Sequence, residues 1–199
     1  MSLKSLIRHR AGWLIALASS LTAHAQFVLV DDMEGADGWT NLQGTSGLEV
    51  DPAHAGNKVY RAVGNANVGL RGQAFRGIPA IADGTTGTVF FRLYTEDDGG
   101  SFDWVVGTSD AATPGAGFGS YDGYCRLSDG MVDVRDTGGA GGDFAAVGPA
   151  SSGTWYNIWL VLKNTPAGAD DTTDLYYNTS GDATTAGTQS FVGGVFRNE

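Results

Sequence analysis

Short apolar or alternating runs broken by glycine recur along most of the chain: LEVD, KVYRAV, TVFFRLYT, FDWVVGTS, GYCRLS, MVDVRD, TWYNIWLVLKN and TDLYYNT, with FVLVDD ahead of them. Almost no stretch repeats its apolar residues at the helical period, so helix bundles and alternating helix–strand folds are excluded. Many short strands with turns at this spacing predict an all-β protein, an antiparallel two-sheet β-sandwich or jelly roll. Glycine supplies 31 of the 199 residues, about twice the usual share of roughly 7%. It shows no triplet period, so it reads as turn material. The clearest turn is Asp129-Gly130 in YCRLSDGMVDVRD, which suits a two-residue hairpin needing positive φ. Val132 and Val134 then share one face of the strand, and Met131, Asp133 and Arg135 the other.

The amino terminus has a different character. Lys4, Arg8 and Arg10 precede the apolar AGWLIALASSL, and Ala23-His24-Ala25 forms a small-residue cleavage site. Residues 1–25 therefore read as a secretory signal peptide, with an exported mature chain, residues 26–199, forming one domain. The apolar run is shorter than the roughly 20 residues that span a bilayer, and no later segment is long enough. Cleavage removes three basic residues and no acidic ones, taking the formal charge from −10 to about −13. Such a balance argues against nucleic acid, whose phosphates need a basic surface. The only cysteine, Cys125, can form no internal disulfide. At the other end, QSFVGGVFRNE stops as a new strand is ending, so a C-terminally truncated version of a longer domain is expected.

TWYNIWLVLKN, Thr154 to Asn164, is the richest single stretch. Alternation puts Tyr156, Ile158, Leu160 and Leu162 on one face and Trp155, Asn157, Trp159, Val161 and Lys163 on the other. The first face is uniformly apolar and is expected to look into the core. Trp155 and Trp159 are then candidates for stacking on sugar rings, unless a neighbouring loop covers them.

Together with the turn that follows, AGADDTTDLYYN, this strand resembles the W-Y-x-[IV]-x-[LV]-x-[LV] strand and hairpin of concanavalin A-like lectin/glucanase domains of the laminin-G-like group. DDMEGADGWTN resembles the opening of bacterial exported members, and GTTGTVFFRLYTED their first long core strand. The resemblance covers roughly residues 27–197. It implies a non-catalytic binding or cell-surface interaction module with a polysaccharide or glycoconjugate as partner. In lectins of this kind glycine-rich loops rim the binding face, which adds Tyr121, Asp122 and Tyr124, with Phe118 nearby. Trp104 completes the set of candidate ligand-binding residues, with Trp155 and Trp159. Family members often end in an L-D-D-I strand or a sorting segment, and neither is found here.

Catalysis has little support in the residues. The E-x-D-x-x-E strand of glycoside hydrolases on this fold is absent, and the four glutamates, Glu34, Glu49, Glu96 and Glu199, do not pair with another acid at strand spacing. One histidine, His54, remains after cleavage, and no serine lies in a G-x-S-x-G elbow. A polysaccharide hydrolase or lyase is the alternative, and a purely structural envelope protein a second. One His and one Cys cannot furnish a zinc set. TPGAGFGSYDG lacks the lysine of a phosphate loop and reads as a connection between strands. Calcium fits better, since it takes oxygen ligands from carboxylates and carbonyls. Asp31, Asp32 and Glu34 form one acidic cluster, Asp97 and Asp98 a second, and Asp170, Asp171 and Asp174 a third. The resemblance makes the first of these the expected site of one structural calcium. Asn178 heads an N-T-S sequon that has little weight without a known source.

Overall fold

A computed structural model describes residue 33 and residues 38–51, 54–64, 72–96, 103–115, 118–128, 130–136, 143–166, 171–181 and 185–196. The chain divides into Met1–Val30 and Asp31–Glu199, and every described residue belongs to the second unit. The expected leader and the FVLVDD strand lie outside the described residues. Among those residues there is no α-helix, and so none long and apolar enough to cross a membrane.

Among the described residues twelve strands follow in order: β1 Thr40–Gln43, β2 Thr45–Val50, β3 Lys58–Val63, β4 Gln73–Phe75, β5 Thr85–Thr95, β6 Asp103–Gly107, β7 Tyr124–Ser128, β8 Met131–Arg135, β9 Phe144–Pro149, β10 Thr154–Asn164, β11 Thr172–Asn178 and β12 Thr188–Val195. One four-stranded antiparallel sheet runs β12-β11-β10-β5 and the other runs β6-β7-β8-β9. Two short ribbons, β1-β4 and β2-β3, complete the pairing. Arg61 of β3 donates to Glu96, just past β5, at 2.8 and 3.1 Å, and also reaches Glu49 of β2.

The two large sheets share one core, and the sequence dictates which faces meet. Tyr156, Ile158, Leu160 and Leu162 of β10 are buried with Leu175 of β11, and Val89, Phe91 and Leu93 of β5 pack against them. The second sheet contributes Cys125 and Leu127 of β7 and Val132 and Val134 of β8, joined by Trp104 and Val106 of β6. Alternation alone produces this arrangement, because a strand with one apolar face can bury it only against another sheet. All-β sandwich architecture therefore stands as expected. Tyr156 brings a hydroxyl into this core, and Ser151 N–H donates to it at 2.7 Å, so the buried polar atom is satisfied.

Two glycines set the chain reversals that matter most. Gly130, at φ 77°, closes the β7–β8 hairpin, and Gly153, at φ 65°, enters β10 while its N–H donates to Thr95 C=O at 2.6 Å. Both sit in the left-handed region that side chains with a Cβ avoid. The β7–β8 register, Cys125 opposite Val134 and Leu127 opposite Val132, follows from that turn.

Cys125 is fully enclosed, and burial, helped by the charge of Asp133, pushes its thiol up to about 12 from the ordinary 9.0. The protonated form is favoured on folding. The contribution is whole below pH 9.0 and is lost as pH rises from there toward about 12. Thiolate is the reactive species. Native protein at pH 8 is therefore expected to resist a thiol-alkylating reagent, with modification appearing only in denaturant. Rapid labelling of native protein would refute this burial.

Candidate ligand-binding face

The outward face of the β5-β10-β11-β12 sheet is built by the residues that alternate with the core set. Register places Trp155 opposite Tyr94, Asn157 opposite Arg92 and Trp159 opposite Phe90. On the other flank, Trp159 faces Tyr176, Asn157 faces Asn178 and Val161 faces Asp174. Same-face neighbours on paired strands touch, and two aromatic pairs result. Phe90 and Trp159 have ring centroids 4.9 Å apart, and Tyr94 and Trp155 lie 5.2 Å apart. The Arg92 guanidinium rides over the Trp155 ring at 4.9 Å, a cation–π contact. Trp155, Trp159, Tyr94 and Tyr176 are half-buried, and Phe90 is 38% exposed. Four residues of strand separate the two tryptophans, about 13 Å along the sheet.

Polar residues frame the stripe. Lys163 pairs with Asp174 at 2.8 Å, and Gln189 donates to Tyr176 Oη at 2.7 Å. Asn157 differs from the sequence expectation of a partly wet face: it has 0% exposure and donates to Asn178 Oδ1 at 2.9 Å and Ser180 C=O at 3.0 Å. Asn178 in turn donates to the carbonyls of Thr185 and Ala186, at 2.9 and 3.1 Å. The segment after β11 is thereby folded back, and Arg92 adds a bond to Gly181 C=O at 2.9 Å. Gly187 ends against the six-membered ring of Trp159, where a Cβ would lie 2.6 Å from two ring carbons. Trp159 is thus supported on one side by this segment and on the other by Phe90. The Asn178 amide is engaged by these carbonyls.

The remaining sequence candidates do not join this face. Trp104 is on the core-facing side of β6, opposite Leu127, so its ring packs into the sandwich instead of presenting to a ligand. Tyr124 is 1% exposed, with Tyr121 against its ring at 5.6 Å and Phe144 at 6.0 Å, so its faces are already covered. Asp122 is buried and accepts from the backbone N–H of Asp110, the turn role open to any aspartate. These three are corrected from ligand contacts to structural positions. Tyr121 is half-buried beside Tyr124, on the other sheet's strand entry. Asp31, Asp32 and Glu34, the expected calcium ligands, lie outside the described residues, as do Asp97, Asp98 and Asp170. Asp171 accepts from Thr165 N and Oγ1, and Asp174 holds Lys163 and Gly193 N–H, so both serve local structure. Among the described residues no group of three metal-ligating side chains converges.

Sequence reading missed Phe90, Arg92, Tyr94 and Tyr176 as parts of the face. The alternation of TVFFRLYT already put Phe90, Arg92 and Tyr94 together; what it lacked was the pairing of β5 with β10.

Comparison with known families, curated proteins and solved structures returns no match for this chain. Fold and face define an all-β sandwich protein with an aromatic outer sheet surface.

Proposed function

We propose that the protein is an exported, non-catalytic binding module of the concanavalin A-like, laminin-G-like type, taking a polysaccharide or glycoconjugate on the outer face of the β5-β10-β11-β12 sheet. The observation that carries this reading is the double aromatic row, Phe90 beside Trp159 and Tyr94 beside Trp155. Half-buried rings tilted at 39° and 46° within their pairs and held on a paired sheet offer apolar area at low entropic cost, which suits the C–H faces of sugar rings. Arg92, Lys163, Asp174 and Gln189 stand at the margins, where hydroxyl groups would be bonded. A calcium ion at Asp31, Asp32 and Glu34 remains part of the proposal through the resemblance of the opening segment.

Retention of the mature chain on a panel of soluble and insoluble polysaccharides, with calcium and again with chelator, tests it. Binding to at least one glycan is expected. A folded chain that no glycan retains in either condition overturns the reading. Trp159→Ala is expected to weaken glycan binding by about tenfold or more, and Phe90→Ala, at an exposed site, serves as the companion variant least able to disturb folding. The thermal midpoint of each must be recorded beside its affinity, since loss of binding with loss of fold would return Trp159 to a packing role.

A further inference from the structure

Two arginines on the outward side of the β6-β7-β8-β9 sheet are used in opposite ways. Arg126 donates from Nε to Asp133 at 3.0 and 3.2 Å and from Nη2 at 2.7 Å, a side-on bidentate pair. Its guanidinium also covers the Phe144 ring at 4.0 Å. Arg135 is 2% exposed, and its one hydrogen bond runs from Nη1 to Tyr124 Oη at 3.1 Å. Its Nε and Nη2 are enclosed and have no acceptor, and it forms no salt bridge among the described residues.

Those two nitrogens are not an arbitrary pair. Nε–H and the adjacent Nη2–H lie on one edge of the planar guanidinium and point in parallel, the geometry that matches the two oxygens of a carboxylate. Arg126 fills this same edge with Asp133, on the same face of the same sheet. Arg135 keeps a permanent charge, and taking that charge out of water is costly unless an anion meets it. A lysine would carry the same charge without the fork.

We propose that the Nε/Nη2 edge of Arg135 is an anion site that takes the carboxylate group of a small organic acid or of an acidic sugar. Tyr124 holds the guanidinium at Nη1, and the Phe144 ring centroid lies 6.0 Å from the guanidinium carbon. Low local dielectric strengthens a pair formed here. The site lies on the other sheet from the tryptophan face and does not depend on the glycan reading.

Titration of the purified chain with acetate and with glucuronate, against glucose and chloride at matched ionic strength, tests it through the thermal midpoint. A saturable rise with carboxylate and none with glucose or chloride is expected. A rise with acetate alone assigns the site to small free acids, and a rise with both admits an acidic sugar. Arg135→Lys keeps the charge and removes the fork, so it should weaken the response by about 10- to 100-fold. Tyr124→Phe leaves the fork and should keep a saturable response. Absence of any saturable carboxylate effect on the wild-type chain overturns the proposal even if Arg135→Lys fails to fold, as does an unchanged affinity in a folded Arg135→Lys.

Discussion

Leu160→Ala lowers the stability of the folded chain by about 3 kcal/mol, the largest loss expected from any single aliphatic truncation here. Leu160 lies next to the middle of β10, one of the two 11-residue strands, fully buried between Val89 on one side and Leu175 on the other. Truncation removes the transfer free energy of the lost carbons, and the flanking strands are too well paired to collapse into the void. In a urea titration the midpoint should fall by about 1 to 2 M with little change in slope. Val161→Ala, one residue on and facing outward, should move it by a small fraction of that. Equal effects from the two would contradict the assignment of faces on β10.

Asp133→Ala is the second large effect, expected at about 2 to 3 kcal/mol. The carboxylate is buried and answers Arg126 with three short contacts. Removing it takes from Arg126 the acid that holds its Nε/Nη2 edge, a loss in a poorly hydrated place. The figure stays at the low end because the Arg126 side chain is 25% exposed and recovers some water. Adding Arg126→Met should restore most of the loss, since an apolar chain keeps the contact with Phe144 without the charge. A double variant no more stable than Asp133→Ala would show that the cost came from packing and not from the broken ion pair.

Both predictions rest on faces that alternation revealed, and they mark how far sequence reading reaches. Ile158, Leu160 and Leu162 inside, Trp155 and Trp159 outside, and Val132 and Val134 buried behind a Gly130 turn all follow from the two-residue period and one glycine. Periodicity does not say which strand lies beside which, and that is where the reading ran out. β9, with Ala145, Ala146 and Gly148, has too weak a strand preference to stand out and is held by its neighbour β8. Asn157 looked like a mark of a wet surface because its partner, Asn178, is 21 residues further on. Alternation of FDWVVGTS already sets Trp104 beside Phe102 and Val106, away from Asp103 and Gly107, so the core-facing side of Trp104 was legible in the sequence. Tyr124 and Arg135 fall on the outward side by their parity, yet both are buried; parity assigns a side of the sheet, not its covering.

The pairing of β5 with β10 also has a consequence in time. Thr95 and Thr154 meet across 59 residues, and the two strands diverge further toward their other ends, so the most extensive ladder in the molecule is also among its least local. Such topologies fold slowly, in milliseconds to seconds, because the loop must close before contacts reward it. While the chain is being made, TVFFRLYT waits without its neighbour through the synthesis of the whole β6–β9 meander. That meander pairs strands that are neighbours in sequence and can form first, and the aromatic face of the other sheet comes into existence only when β10 arrives.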